Sequence, residues 1–319
     1  MQSMATSVNP PWNRARYLDL VPSGELTKRA ADAAGRLAHC ELCPRRCGAD
    51  RHRSAQQTFC GIGAHAVVYS FGAHHGEEDC LTGRRGSGTI FFSGCNLRCA
   101  FCQNWEISQR AAGREMEPNE LAAVMLALQA RGCHNINLVS PSHVVAAILA
   151  AVDIAARQGL ELPLVYNTGG YDRLETLQLL DGIVDIYMPD MKYGRSDVAH
   201  RCSQAGDYVE VNFAAVKEMH RQVGDLVLGD DGVARRGLLV RHLVLPGGLA
   251  GSMQVLDFLA AEVSPNTFIN IMGQYHPCYL AGQEPPLDKR PTAAEYREAV
   301  RGAQQRGFLR LDRRLSGAS

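Results

Sequence analysis

The sequence of 319 residues has no charge surplus: 33 Lys and Arg balance 33 Asp and Glu. A chain so balanced offers no electrostatic reason to expect nucleic acid or an anionic membrane as partner. It also lacks a long apolar run. The longest, Val144–Ala156, is interrupted by Asp153, and crossing a bilayer takes about 20 apolar residues. The N-terminal stretch has no apolar core of the kind that marks a secretory signal, so a cytoplasmic location is expected. Internal repeats and low-complexity tracts are missing too. What remains is an ordinary globular chain, long enough to bury roughly 75% of its unfolded surface.

Cysteine, by contrast, is plentiful. There are eleven, and in a reducing compartment that number points to metal binding or catalysis rather than disulfides. Cys80, Cys133, Cys202 and Cys278 are scattered; the other seven fall in two tight groups. The first group, Cys40, Cys43, Cys47 and Cys60, is spaced C-x2-C-x3-C-x12-C. Structural zinc usually takes two separate C-x2-C knuckles. Here three thiols crowd together with Pro44 behind Cys43, which is closer to iron–sulfur ligation. Both a second 4Fe–4S cluster and zinc stay open.

The second group lies in Thr89–Trp105, TIFFSGCNLRCAFCQNW. Cys95, Cys99 and Cys102 are spaced C-x3-C-x2-C, with Phe101 just before the last. Three thiolates this close can hold three corners of an iron–sulfur cube. The fourth iron would have no protein ligand and could take a cofactor.

Around these groups apolar runs alternate with helical patterns. A helix over Ser23–His39, capped by Ser23, precedes the first cysteines. A short strand over Ala66–Phe71 leads into a polar, Gly-rich loop containing His74, His75, Glu77 and Glu78. Six strands are then predicted, over Thr89–Ser93, Ile136–Ser140, Leu164–Asn167, Val184–Met188, Leu238–Leu245 and Thr267–Met272. The helices between them cover Pro118–Arg131, His143–Gln158, Tyr171–Leu180, Ser196–Gln204, Tyr208–Gln222 and Ser252–Val263. A small hairpin turn is expected at Asp230–Gly232, and a last helix behind the capping box Thr292-x-x-Glu295.

Repeated strand–helix units imply an α/β fold with a parallel sheet. In such folds ligands bind beyond the C-terminal ends of the strands. Asn167, Asp190, Lys192, Arg241 and Gln274 sit at those ends, where turn chemistry alone does not call for them. Three regions are expected: an N-terminal helix with a four-cysteine module over 1–75, the strand–helix body over 76–280, and a helical tail over 281–319.

The segment FFSGCNLRCAFCQNW resembles the radical S-adenosylmethionine (SAM) enzymes. Within them it looks most like the activating enzymes of glycyl radical enzymes, such as pyruvate formate-lyase activating enzyme. The resemblance covers roughly residues 76–280 and implies a partial (β/α)6 barrel. It implies a 4Fe–4S cluster on Cys95, Cys99 and Cys102, with SAM on the open iron. Phe101 matches the family's adenine-contacting aromatic, and Asn167 the position near the ribose and carboxylate. Ser140 and Ser142 occupy the place of a Gly-Gly-Glu motif that holds the amine. Asp190 and Lys192, in MPDMK, match a D-x-K of the activases, and Arg241 is a further candidate to pair with a carboxylate. The implied reaction is reductive cleavage of SAM to methionine and a 5′-deoxyadenosyl radical, which abstracts a hydrogen atom. The implied partners are an electron donor such as flavodoxin or ferredoxin and a glycyl radical enzyme or other peptide. A small-molecule substrate is an alternative, and a structural metal-binding scaffold is the non-enzymatic one.

Overall fold

The computed structural model describes residues 14–312. Nine strands form one sheet. Six of them are parallel neighbours in the order β2 (Ser87–Phe92), β4 (Ile136–Val139), β5 (Leu164–Thr168), β6 (Ile186–Pro189), β8 (Ala234–Leu243) and β9 (Phe268–Met272). These are the six runs expected from the sequence. β2, β4, β5 and β6 are short and almost wholly buried, and β8 and β9 are buried along their middles, as strands covered on both faces are. The fold is therefore a mixed α/β structure of the partial (β/α) barrel type.

Three further strands pair antiparallel at the two sides. β1 (Ala66–His74) pairs with β2, and β3 (Arg114–Met116) with β1. β1 runs on through His74, so the loop expected from residue 72 starts later. β7 (Val227–Leu228) forms the expected small hairpin with β8, closed by the Gly229 N–H on the Val233 carbonyl at 2.8 Å.

Period-two alternation decides what each parallel strand presents. Leu238 and Val240 of β8, and Ile269 and Ile271 of β9, face the large core beneath the helices. The alternate residues Val165, Ile186, Met188, Leu239 and Phe268 meet inside the curved sheet. One step further along, the inward positions turn polar: Asn167, Asp190, Arg241 and Asn270. The barrel is thus apolar at its closed end and polar at its open one. The closed end is filled by Cys80 and Leu81 of the one-turn helix α2 (Asp79–Thr82). Asn135 holds that helix by donating Nδ2–H to the Leu81 carbonyl at 2.8 Å.

The outer helices are α4 (Pro118–Ala130), α5 (Val145–Arg157), α6 (Leu174–Leu180), α7 (Ser196–Ser203), α8 (Tyr208–Val223), α9 (Ser252–Phe258) and α10 (Ala293–Gln305). The Thr292–Glu295 capping box of α10 forms as expected, with Thr292 Oγ1 accepting from the Glu295 N–H at 3.2 Å. Helix α1 (Glu25–Gly35) departs from expectation at its start. Its cap is Gly24 at φ 73°, not Ser23. The preceding turn, closed by the Gly24 N–H on the Val21 carbonyl at 3.1 Å, needs a left-handed residue, and glycine takes it at no steric cost. Leu26, Ala33 and Leu37 of this segment share the barrel's main core. No helix among the described residues is long and apolar enough to cross a membrane.

Candidate active site

β2 delivers the chain to the cysteine loop. Gly94, at φ 77°, makes the turn, and a Cβ there would lie 2.6 Å from the Cys60 carbonyl oxygen. Only glycine fits, because the backbone of the first cysteine group presses directly on the second. The loop closes into α3 (Trp105–Arg110).

Each of its three sulfurs has a polar contact. Cys95 Sγ accepts the Leu97 N–H at 3.3 Å, Cys99 Sγ accepts the Ser203 hydroxyl at 3.0 Å, and Cys102 Sγ accepts the Ser108 hydroxyl at 3.3 Å. Burial pushes the Cys95 thiol up to about 11, with the Cys99 sulfur adding to the rise and the Arg98 and Leu97 N–H groups opposing it. Cys102 is raised in the same way, by burial first and then by Cys99. Three thiolates here would repel one another in a poorly solvated site. A cationic iron–sulfur group removes that penalty, so the donor set suits one.

The three cysteines line one side of a cavity of about 670 Å3 at the open end of the barrel. The strand ends line the other. β4 contributes Ser140 and Ser142, β5 Asn167, β6 Asp190 and Lys192, β8 Arg241, and β9 Gln274. Six of the seven residues expected to touch the cofactor therefore converge with the thiols. Their environments differ.

Ser140 holds φ 59°, unusual for a residue with a Cβ, and donates its N–H to the Asn167 carbonyl at 2.9 Å. Ser142 is bonded to Thr168 at 2.9 Å, and Thr168 donates to Asp172 at 2.6 Å, so its hydroxyl serves a buried network. Lys192 is paired with Asp190. Burial pulls Lys192 down, but Asp190 and the Cys99 sulfur outweigh it and keep the ammonium charged.

Two of the seven are placed differently from the rest. Phe101 does not line the cavity. Its ring packs edge-on against Tyr193 and Tyr275, with centroids 6.2 and 5.8 Å away, in a separate aromatic cluster. Arg241 does line it, but its guanidinium is committed to the chain's own carboxylates: Nε and Nη2 donate to Glu78 at 2.7 and 2.6 Å, and Nη2 also reaches Glu77. Burial pushes the Glu78 carboxyl up, yet Arg241 and the Asn270 amide more than offset it and hold it below the usual range. Lys192 is left as the cation whose charge bears on Cys102 and Cys99.

His74, at the end of β1, and Glu77 and Glu78 of the loop after it do reach the cavity; His75 does not line it. Asn96, Thr168 and Asn270 line it without having been singled out. Asn270 had one available signal, as the inward position two residues before the end of the last parallel strand.

The first cysteine group is also drawn together. Burial pushes Cys43 up to about 12, with Cys60, Cys40 and Cys47 all adding to the rise. Cys47 Sγ accepts the Phe59 N–H at 3.3 Å, and Arg51 reaches Cys40 Sγ at 3.7 Å. Among the described residues no three His, Cys, Asp or Glu side chains meet at the position of a single ion.

Residues 89–232 match the family model of the radical SAM superfamily. A Methanocaldococcus jannaschii protein that carries the name "Uncharacterized protein MJ0674" is 30% identical over 298 residues, covering 90% of this chain and 81% of that protein. The chain belongs to the radical SAM superfamily. It is also similar to a solved radical SAM methyltransferase from Sphaerobacter thermophilus, at 16% identity and a TM-score of 0.49, over 69% of this chain and 64% of that one. The chain thus spans slightly less than two thirds of the solved structure. Radical SAM membership implies a 4Fe–4S cluster, SAM and SAM-cleaving radical chemistry. Neither the family match nor the relative's name speaks for the activating-enzyme branch specifically.

Proposed function

We propose that Cys95, Cys99 and Cys102 hold a 4Fe–4S cluster at which SAM is reductively cleaved, and that the cavity beside them is where a substrate gives up a hydrogen atom. When bound, the cluster and SAM supply a low-potential electron, a cleavable sulfonium and the resulting 5′-deoxyadenosyl radical. One observation carries the reading: the three thiols share a cavity with the polar ends of five parallel strands. The chain's own part is binding and placement. Lys192, steadied by Asp190, is set to take the SAM carboxylate. Asn167 stands beside the Ser140 turn, where the polar methionine end of SAM would lie. Packing of the Cys80–Leu81 plug keeps water out of the barrel from its closed end.

For the substrate, the proposed class is a backbone glycine of a glycyl radical enzyme. The support is the activase-like run FFSGCNLRCAFCQNW together with the D-x-K of MPDMK. A small molecule or another peptide is the second reading. It is favoured by the Ser140–Ser142 replacement and by the extra cysteine group, which the shortest activases lack.

The decisive experiment is anaerobic reconstitution, dithionite reduction and assay for 5′-deoxyadenosine. SAM left intact at a fully loaded, reduced centre would sink the proposal. Iron and sulfide counts address the Cys40, Cys43, Cys47 and Cys60 group, for which we propose a second cluster rather than zinc. About eight irons per chain are expected, falling to about four when Cys95, Cys99 and Cys102 are replaced by Ala. Formation of a glycyl EPR doublet on a candidate partner separates the two substrate readings.

A further inference from the structure

We propose that Tyr193 and Ser203 form a two-step hydrogen-bond relay onto Cys99 Sγ that sets the reduction potential of the iron–sulfur group held there; this rests on the iron–sulfur reading above. Cys99 is buried, at 7% exposed, so its sulfur must take its donors from the chain. The donor is the Ser203 hydroxyl at 3.0 Å, closer than the 3.3 Å contacts of Cys95 with the Leu97 N–H and of Cys102 with the Ser108 hydroxyl. Behind it, the Tyr193 hydroxyl lies 2.7 Å from Ser203 Oγ, and both residues are buried. Proton counting fixes the direction. As an iron ligand Cys99 is a thiolate and brings no proton. Ser203 therefore gives its single hydroxyl hydrogen to sulfur, and Tyr193 must give its own to Ser203. Each donation polarises the next, so the phenol strengthens the bond on sulfur.

Other contacts hold the relay in place independently of its own bonds. The Ala100 N–H donates to the Cys202 carbonyl at 2.8 Å, which ties the residue after Cys99 to the residue before Ser203. Arg45 donates to the Ser203 carbonyl at 2.7 Å. The Tyr193 ring packs edge-on against Phe101 and Tyr208, with centroids 6.2 and 5.2 Å away. Ser203 is the last residue of α7. A helical serine often bonds back to the carbonyl one turn earlier; this one is turned to the sulfur instead. The backbone approach and the ring packing survive removal of either hydroxyl, so the hydroxyls can be tested apart from the fold.

The consequence has a sign. Reduction adds one electron to the group, and no bond forms or breaks. The added negative charge falls in a poorly solvated site, where a donor aimed at sulfur stabilises the reduced form more than the oxidised one. The relay therefore raises the potential and makes the group easier to reduce.

The test is a potentiometric titration of the reconstituted full chain, with redox mediators, dithionite as reductant and EPR as readout. The transition that belongs to Cys99 is the one missing when Cys95, Cys99 and Cys102 are replaced by Ala. In Ser203→Ala that transition should move to lower potential. The reduced-to-oxidised ratio at a fixed potential should fall about tenfold, which is about 59 mV for one electron. Tyr193→Phe should move it the same way by about threefold. In the Ser203→Ala background, Tyr193→Phe should add no shift, because the link to sulfur is already cut. It should instead raise the melting temperature, since it removes a buried hydroxyl left without its acceptor. An unmoved transition in Ser203→Ala, or an equal shift from Tyr193→Phe with and without Ser203, would overturn the relay. Should Ser203→Ala take up less iron than wild type, Tyr193→Phe alone decides, and no shift in it overturns the relay. A wild type in which no transition depends on the three cysteines would instead bring down the iron–sulfur reading beneath it.

Discussion

Arg45, two residues past Cys43, donates Nε–H to the carbonyl of Asn96, one residue past Cys95, at 2.7 Å. The same guanidinium donates to the carbonyls of Ser203 and Gln204 at 2.7 and 2.5 Å, and lies 3.8 Å from the Phe59 ring centroid. Ser203 is the residue whose hydroxyl contacts Cys99 Sγ. One side chain from the first cysteine group therefore sets the backbone around the second.

Arg45→Ala should loosen both groups. Charge-assisted hydrogen bonds contribute about 1.5–3 kcal/mol each, but a half-buried site recovers part of that through water. We expect a loss on the order of 3 kcal/mol, and less iron retained per chain during gel filtration after reconstitution. Arg45→Lys, a point charge without the planar fork, should recover less than half of the loss. Iron retention in Arg45→Ala equal to wild type would mean that the two groups are held independently.

The buried trio Glu77, Glu78 and Arg241 gives a second test. Glu78 is 1% exposed and Glu77 6%, so neither carboxylate has bulk water to replace its partner. Arg241→Met should cost about 3–5 kcal/mol, the usual penalty for stranding a buried charge. Adding Glu77→Gln and Glu78→Gln should restore much of that loss, because replacing all members of a buried ionic group is far milder than removing one. Thermal melting of the wild type, Arg241→Met, Glu77→Gln with Glu78→Gln, and the triple variant measures the coupling. If the triple variant is no more stable than Arg241→Met, the trio is not acting as an ionic unit.

The six parallel strands were legible in the sequence because each is a local pattern: a short apolar run, a polar residue at its end, a helix after it. The cysteine groups were legible for the same reason. The fate of Arg241 was not, since Glu77 and Glu78 lie more than 160 residues away in the chain. The Phe101 ring was assigned by its place beside Cys102, but the local turn points it at Tyr193 and Tyr275, which come from distant segments. Plugging of the barrel by Cys80 and Leu81 was hidden because four residues are too few for a helical period to show. Motif spacing brings candidate ligands to one place; which of them remain free is decided by long-range pairing.

His143 predicts a pH dependence. It is buried, and its Nε2 lies 2.8 Å from the Ser93 carbonyl, while its own carbonyl accepts from Arg51 at 2.6 Å. Burial pushes it down to about 4; the Ser93 carbonyl opposes the shift and the Arg51 charge adds to it. The unfolded chain takes up this proton below about pH 6.5 and the folded chain does not. Stability from this group is therefore full above pH 6.5, falls as pH drops toward about 4, and is then level. His242 is lowered by burial as well, so the comparison must be differential. Between pH 7 and 5.5 the wild type should lose about 1 kcal/mol more than His143→Gln, read from denaturant midpoints. Parallel curves for the two proteins would show that His143 titrates normally in the fold.

Ser140 stores strain at the cavity. A residue with a Cβ pays roughly 1–2 kcal/mol to hold a left-handed conformation, and glycine does not. Ser140 keeps φ 59° because its N–H is tied to the Asn167 carbonyl and Pro141 follows at once. If the hydroxyl were incidental, Ser140→Gly would only relieve strain, raising stability by about 1 kcal/mol, a few degrees of melting temperature. Strained residues that persist at a site are often there for function. We therefore expect Ser140→Gly to melt higher and, if the proposed function holds, to bind SAM several-fold more weakly, because Ser140 lines the cavity beside the three thiols. Equilibrium binding of SAM to the reconstituted protein, measured beside its melting curve, distinguishes the outcomes. A variant that is more stable and binds SAM as wild type does would remove Ser140 from the binding machinery and leave it as a replaceable turn residue.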